Sequence, residues 1–198
     1  MKRLFDILLS VLALLVLSPV FLLIWLCVRL TSSGSGIFTQ VRVGKNNIDF
    51  SLYKFRTMYT RAHAGSAITI GSRDSRITPL GYVLRKYKLD ELPQLINVLK
   101  GDMSFVGPRP EVRKYVDMYT AEHMHVLSVR PGITDYASLL FIDENEVLGR
   151  SADPEYEYIH NIMPEKLKLN LEYIQNQSFS GDIRLIFRTL FRIMGILK

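Results

Sequence analysis

The 198 residues suffice for one domain of ordinary size, or a small domain with an appendage. Hydrophobic residues make up 48% and charged ones 22% of the chain, with the apolar excess gathered at the N-terminus. The net charge of +6 points to an anionic partner, and the single cysteine, Cys27, excludes an internal disulfide and a thiolate metal cluster.

Ile7–Val28 is free of charge and flanked by Lys2-Arg3 and Arg29. As one helix it would be about 33 Å long, enough to span a bilayer core. A cleaved signal peptide fits poorly, because its apolar core is usually about 7–15 residues. Ser18-Pro19 interrupts the run. Pro19 removes a helix hydrogen bond, and the Ser18 hydroxyl can bond a carbonyl one turn back. Each half is then about 16 Å long, too short to span. Basic residues flank both ends, so both ends favour the cytoplasm. From these residues alone a re-entrant hairpin and a Pro-kinked span remain open.

Thr31–Gly36 reads as a polar linker. Ile37–Val43 and Ile48–Met58 read as two strands around the turn Gly44–Asn47. In the second strand Lys54 and Arg56 share a face, either as a grip for a diphosphate or as a solvated strand end. Residues 60–80, with Gly65, Gly71 and Pro79, read as a long mobile loop of the lid type. A basic, apolar segment, Leu80–Leu89, then leads to Asp90-Glu91. A short helix is expected from about Leu92 to Lys100, stopped by Gly101, with the two carboxylates at its N-terminal mouth. That end favours carboxylates and phosphates. Arg85, Lys86 and Lys88 precede the pair, and Arg109 follows, held between Pro108 and Pro110. Taken alone, the pair reads first as the capped start of a surface helix.

Further on, a helix is expected over Glu111–Val126. His123 and His125 lie two apart, share no helix face and make a poor metal pair. Arg130–Thr134 reads as a turn. The acidic cluster Asp143, Glu144 and Glu146 lacks calcium-loop spacing and reads as a solvated helix start. Pro164–Gln175 is a helix. Asp182–Leu197 is an amphipathic helix whose stripe Arg184, Arg188 and Arg192 suits lipid phosphates.

Several motifs together resemble one family. They are Lys2-Arg3-Leu4-Phe5-Asp6, Ser18-Pro19, Phe38–Gly44, Lys54-Phe55-Arg56-Thr57-Met58, Leu89–Leu95, Asn97–Ser104, Val106–Pro110 and Arg130–Thr134. The chain resembles, over nearly its whole length, the small monotopic bacterial polyprenol-phosphate phosphoglycosyl transferases. The resemblance implies a mostly helical α+β fold. It divides into a re-entrant membrane helix over residues 1–30, broken at Ser18-Pro19, and a cytoplasmic catalytic domain over residues 31–198. That domain would hold a small β-hairpin and a C-terminal interfacial helix at about 182–197.

The implied reaction moves a sugar-1-phosphate from a UDP-sugar, expected to be an N-acetylated amino sugar, to a polyprenyl phosphate such as undecaprenyl phosphate. UMP is released and Mg²⁺ is required. The resemblance implies Asp90 as a nucleophile that becomes a phospho-sugar aspartyl, with Glu91 as metal partner or acid/base. It places Arg85 and Arg109 at the substrate phosphates and Lys54 in the active site, with Asp90 and Glu91 as the metal ligands. The enzyme would sit on the cytoplasmic face of the bacterial inner membrane in its short form, without an upstream membrane domain. The oligomeric state stays open, a homodimer included.

Two positions depart from the family pattern: Ile142 stands where an Arg is usual, and Asn170 where an Asp is usual. They put the customary sugar or nucleotide contacts in doubt. The competing readings are a nucleotide-sugar phosphohydrolase that passes the intermediate to water, and an inactive membrane scaffold. Nucleic-acid binding is not expected, since no aromatic-basic platform accompanies the positive charge.

Overall fold

The apolar N-terminal run lies within a single helix, α1 (Lys2–Thr31), in a computed structural model that describes residues 1–60, 74–141 and 143–196. At 1.5 Å per residue α1 is about 45 Å long, and it is long and apolar enough to cross a membrane. The helix expected to break at Ser18-Pro19 instead runs through Pro19 as one helix. Pro19 has no N–H for the Leu15 carbonyl, and the Ser18 hydroxyl donates to that carbonyl at 2.8 Å instead.

Both ends of α1 are tied to the rest of the chain. At the start, Lys2 Nζ donates to the Val106 carbonyl (2.9 Å), the Tyr173 hydroxyl (2.9 Å) and Asp182 (2.7 Å). Arg3 donates to the carbonyls of Val98 (2.5 Å) and Leu99 (2.9 Å), and the buried Asp6 accepts the Phe105 N–H. At the far end, Ile24 and Val28 pack with Phe55 and Leu84. Arg56 donates to the Val28 and Ser32 carbonyls, a cation at a helix C-terminus. Between these anchors Leu15, Val16, Ser18, Pro19 and Val20 are exposed.

The expected hairpin is present. β1 (Ile37–Val43) pairs antiparallel with β2 (Asp49–Phe55). The turn between them holds Asn46 and Asn47 at φ 57° and 62°, a region Asn tolerates. β2 ends at Phe55, so Arg56 lies beyond the strand. α2 (Pro79–Lys86) follows, with the Thr78 hydroxyl accepting the Gly81 N–H and Pro at its first position. The long loop expected before it falls largely on residues 61–73, outside the described residues.

α3 (Gln94–Lys100) starts two residues later than the sequence suggested and stops at Gly101, whose φ of 97° suits glycine. β3 (Ser104–Val106) pairs parallel with β4 (Gly132–Thr134), which the sequence presents only as a turn. The helix expected over Glu111–Val126 is two short pieces, α4 (Arg113–Val116) and a 3₁₀ turn over His123–Ser128. The Thr120 hydroxyl accepts the His123 N–H and starts that second turn afresh.

α5 (Tyr136–Leu140), α6 (Glu144–Arg150) and α7 (Pro154–Glu157) lead through a π-turn into α8 (Met163–Gln175). α9 (Phe179–Ile193) begins three residues before the expected start, where the Ser178 hydroxyl accepts the Gly181 N–H. Asp182 and Leu185 are its buried side, packed with Tyr173 and Val106, while Phe187, Leu190 and Phe191 are exposed. One core cluster, Tyr115, Val126, Leu148, Tyr158, Ile162, Met163 and Leu167, joins α4, α6 and α8. A second, Leu52, Val98 and Met103, seats α3 on the hairpin. The result is the mostly helical α+β fold with a small hairpin that the sequence suggested.

Candidate active site

Asp90 and Glu91 lie in a 3₁₀ turn, Leu89–Glu91, one turn ahead of α3 and not in its first turn. Lys88 opens that turn in the left-handed region, at φ 55°. For a residue with a Cβ this conformation costs roughly 1 kcal/mol or more. It turns the chain sharply from α2 so that both carboxylates go inward, 6% and 8% exposed. A pair at the capped start of a surface helix would be solvated; this pair is buried and lies ahead of the helix.

The two carboxylates have different surroundings. Glu91 accepts from Lys54 Nζ at 3.1 Å and from the two terminal Arg109 nitrogens, Nη1 and Nη2, at 3.2 and 2.5 Å. Burial works to raise its carboxyl. The Arg109 guanidinium and Lys54 outweigh burial and hold it well below the usual value. Asp90 is shifted the other way. Burial pushes its carboxyl up, Lys54 opposes this, and the neighbouring Glu91 charge adds to it. A helix end and cations were expected to dominate at Asp90; desolvation does, because Lys54 and Arg109 close on its neighbour. Among the described residues, buried Asp90 Oδ1 has no hydrogen-bond partner.

The structure brings Lys54, Asp90, Glu91 and Arg109 together. Burial lowers the Lys54 ammonium, with Glu91 opposing. Arg109 is raised, first by Glu91. Arg85, in the last turn of α2, is lowered by burial and supported by the Asp90 charge. Arg56 does not join them: it caps α1, so the shared-face grip of Lys54 and Arg56 is not formed. Ser18 and Pro19 are in the exposed middle of α1. Ile142 lies outside the described residues. Asn170 is buried, and its Oδ1 has no partner among the described residues.

Three positioning features escaped the sequence reading. Asn97, fully buried on α3, accepts the Tyr53 N–H at 3.1 Å and donates to the Ser51 carbonyl at 2.7 Å. Its amide serves the edge of β2 as a residue of a neighbouring strand would, and so keeps Lys54 beside the dyad. A polar residue between buried Leu95 and Val98 was the available signal. Arg42 on β1 reaches the Pro110 carbonyl and Glu111, both at 3.1 Å, behind Arg109. Asp135 accepts the Arg109 N–H at 2.9 Å.

No group of three or more His, Cys, Asp or Glu among the described residues is arranged to hold a metal. Asp90 and Glu91 supply two adjacent carboxylates, one with a buried unpartnered oxygen. That donor set fits Mg²⁺ arriving with a substrate's phosphates, the ion's usual habit, rather than a dedicated protein cage.

The arrangement holds two buried carboxylates, one with an unpartnered oxygen, beside cations suited to phosphate. A model of the bacterial sugar transferase family matches residues 1–195. The chain is 40% identical over 196 residues to a UDP-N-acetylgalactosamine-undecaprenyl-phosphate N-acetylgalactosaminephosphotransferase of Aeromonas hydrophila, covering 98% of this chain and 43% of that protein. It is 38% identical to an undecaprenyl-phosphate glucose phosphotransferase of Komagataeibacter xylinus, covering 96% of this chain and 35% of that one. It is 34% identical to a UDP-glucose:undecaprenyl-phosphate glucose-1-phosphate transferase of Caulobacter vibrioides, covering 96% and 68% respectively. The chain thus spans less than half the length of the first two relatives. With a family match over nearly every residue, and the carboxylate pair and its cations in one place, this chain belongs to the bacterial sugar transferase family.

Proposed function

We propose that this chain moves a sugar-1-phosphate from a UDP-sugar to a polyprenyl phosphate such as undecaprenyl phosphate, releasing UMP, with Asp90 as covalent nucleophile. The observation that carries this reading is the division within the dyad. Glu91 accepts three hydrogen bonds from Lys54 and Arg109, which leaves one acceptor position on Oε2, while Asp90 keeps a buried oxygen without a partner.

A desolvated carboxylate is a good nucleophile once ionised. An Asp90 oxygen attacks the sugar-proximal phosphorus; the bond from that phosphorus to the bridging oxygen breaks, and UMP leaves with the electron pair. A phosphate oxygen of the polyprenyl phosphate then attacks the same phosphorus, expels the Asp90 carboxylate and forms the lipid diphosphate sugar. Arg85, Arg109 and Lys54 hold phosphate oxygens through both steps. Glu91 keeps Arg109 and Lys54 oriented, and with Asp90 it would hold Mg²⁺. The bound ion would supply charge neutralisation at the diphosphate. The relatives' names cover N-acetylgalactosamine and glucose; we take an N-acetylated amino sugar as the first donor to test.

The proposal includes a re-entrant α1 on the cytoplasmic face of the bacterial inner membrane. Its support is that Lys2, Arg3 and Asp6 at one end, and Val28 at the other, bind the same domain, while the apolar middle is exposed. Two ends on one domain suit a helix that dips into the bilayer and returns. The exposed Phe187, Leu190 and Phe191 of α9 would rest in the headgroup layer.

The test is UMP release from a panel of UDP-sugars, with and without polyprenyl phosphate, in Mg²⁺. Turnover that needs the lipid supports the transferase. Sustained turnover without lipid would identify a phosphohydrolase, and no release with any donor an inactive scaffold.

A further inference from the structure

Arg109 is stiffened on both sides by Pro108 and Pro110, yet two prolines fix only φ angles. The placement of its main chain depends on what its N–H meets. β3 and β4 pair in parallel, and the Gly107 N–H extends the pairing to the Thr134 carbonyl at 3.0 Å. The Gly132 N–H donates to the Pro108 carbonyl at 2.9 Å. The residue after β4 is therefore brought opposite the residue after Pro108. That residue is Asp135, fully buried. Its Oδ2 accepts the Arg109 N–H at 2.9 Å, and its Oδ1 accepts the Ser138 N–H at 2.5 Å, capping α5. One carboxylate serves two donors, and it takes both oxygens to do so.

We propose that Asp135 is a positioning residue for the transfer reaction: it fixes the Arg109 main chain so that the guanidinium bears on Glu91 and on the reacting phosphate. This rests on the transferase reading of the Asp90–Glu91 site. The alternative role is an ordinary helix cap, and the two roles use different oxygens. Serine caps helices about as well as aspartate, but its single oxygen cannot also hold Arg109. Asp135→Ser therefore keeps the cap and removes the positioning contact, whereas Asp135→Ala removes both.

The experiment uses the full chain in detergent or nanodiscs, with UMP release, thermal unfolding and hydrogen exchange as readouts. Asp135→Ser should unfold close to the wild type yet lose roughly 10- to 100-fold in kcat/KM, the penalty for a misplaced catalytic group. In an Arg109→Ala background the same substitution should cost less than about twofold more, because both act through one group. Exchange in the segment 106–111 should quicken while α5 stays protected; Pro108 and Pro110 carry no amide, so Arg109 dominates that change. An Asp135→Ser chain with wild-type kcat/KM, or full additivity with Arg109→Ala, would overturn the inference. A wild type that releases no UMP from any donor overturns the transferase reading itself, and that failure is visible before any variant is made.

Discussion

Glu91→Gln keeps the shape of the side chain and removes the charge that Arg109 and Lys54 share. Breaking a buried ion pair by removing one partner costs about 3–5 kcal/mol. Here the cations are partly wet, with the Arg109 side chain 34% and the Lys54 side chain 20% exposed, against 10% for Glu91. Solvent screening cuts the figure to about 2–3 kcal/mol. For a domain of this size that is an apparent Tm loss of about 4–12 °C at neutral pH. The pH dependence has a fixed sign. The folded-state pKa of Glu91 is depressed below its ordinary 4.5. Its contribution is thus fully present above that value and is lost as pH falls through the folded pKa. The Tm gap between wild type and Glu91→Gln should be widest near pH 7 and close in acid. Thermal unfolding of the purified chain from pH 7 down to pH 3 measures it. A gap under 1 °C at pH 7, or one that widens in acid, would show that Arg109 and Lys54 do not stabilise the fold through the Glu91 charge.

Lys54→Met removes a cation of the same length; kcat/KM for the donor should fall about 10- to 100-fold, as expected for a charge-assisted contact worth about 1.5–3 kcal/mol, and steady-state kinetics that match the wild type would remove Lys54 from the site. Gly81→Ala places a Cβ 2.1 Å from the Thr57 carbonyl oxygen; α2 must shift, so the melting temperature should drop by several degrees for about 1–3 kcal/mol of overpacking, and a wild-type melt would refute the packing of α2 on the end of β2. For topology, with Cys27 replaced by Ser, a cysteine added at the N-terminus and one at Ser35 should both react only with a label given access to the cytoplasmic side; labelling of the N-terminal cysteine from outside would establish a true span.

Local signals carried much of the fold. The apolar run, the hairpin turn and Gly101 after Lys100 each act within a few residues, and the elements they mark are present, whereas Pro79, read as part of a loop, opens α2. The misreadings come from long-range contacts. β3 and β4 are three residues each, too short to show a period, and only their mutual pairing makes them strands. Glu111–Val126 has helical apolar spacing, but the Thr120 hydroxyl restarts the chain midway. At the site, residue types alone left Asp90-Glu91 and Lys54 open between solvated and functional roles; the family resemblance singled them out together with Arg85 and Arg109, and the structure brings Lys54, Asp90, Glu91 and Arg109 together. Which carboxylate the cations serve was not legible, because it depends on Asn97, 46 positions from Ser51, and on Asp135, 26 positions from Arg109. Arg56 shows the converse: strand period placed it beside Lys54, but the strand ends at Phe55 and the carbonyls at the end of α1 take the guanidinium.

On the proposed reaction, Asp90 and not Glu91 carries the phospho-sugar. Mixing the chain with a reactive UDP-sugar and Mg²⁺, without lipid acceptor, should give a burst of one UMP per active site. Peptide mass spectrometry should place the phospho-sugar adduct on Asp90. Asp90→Asn should lose the burst and the adduct and lower turnover by several orders of magnitude, while still binding donor through Arg85, Arg109 and Lys54. An adduct on Glu91, or near-normal turnover by Asp90→Asn, would show that Asp90 is not the nucleophile.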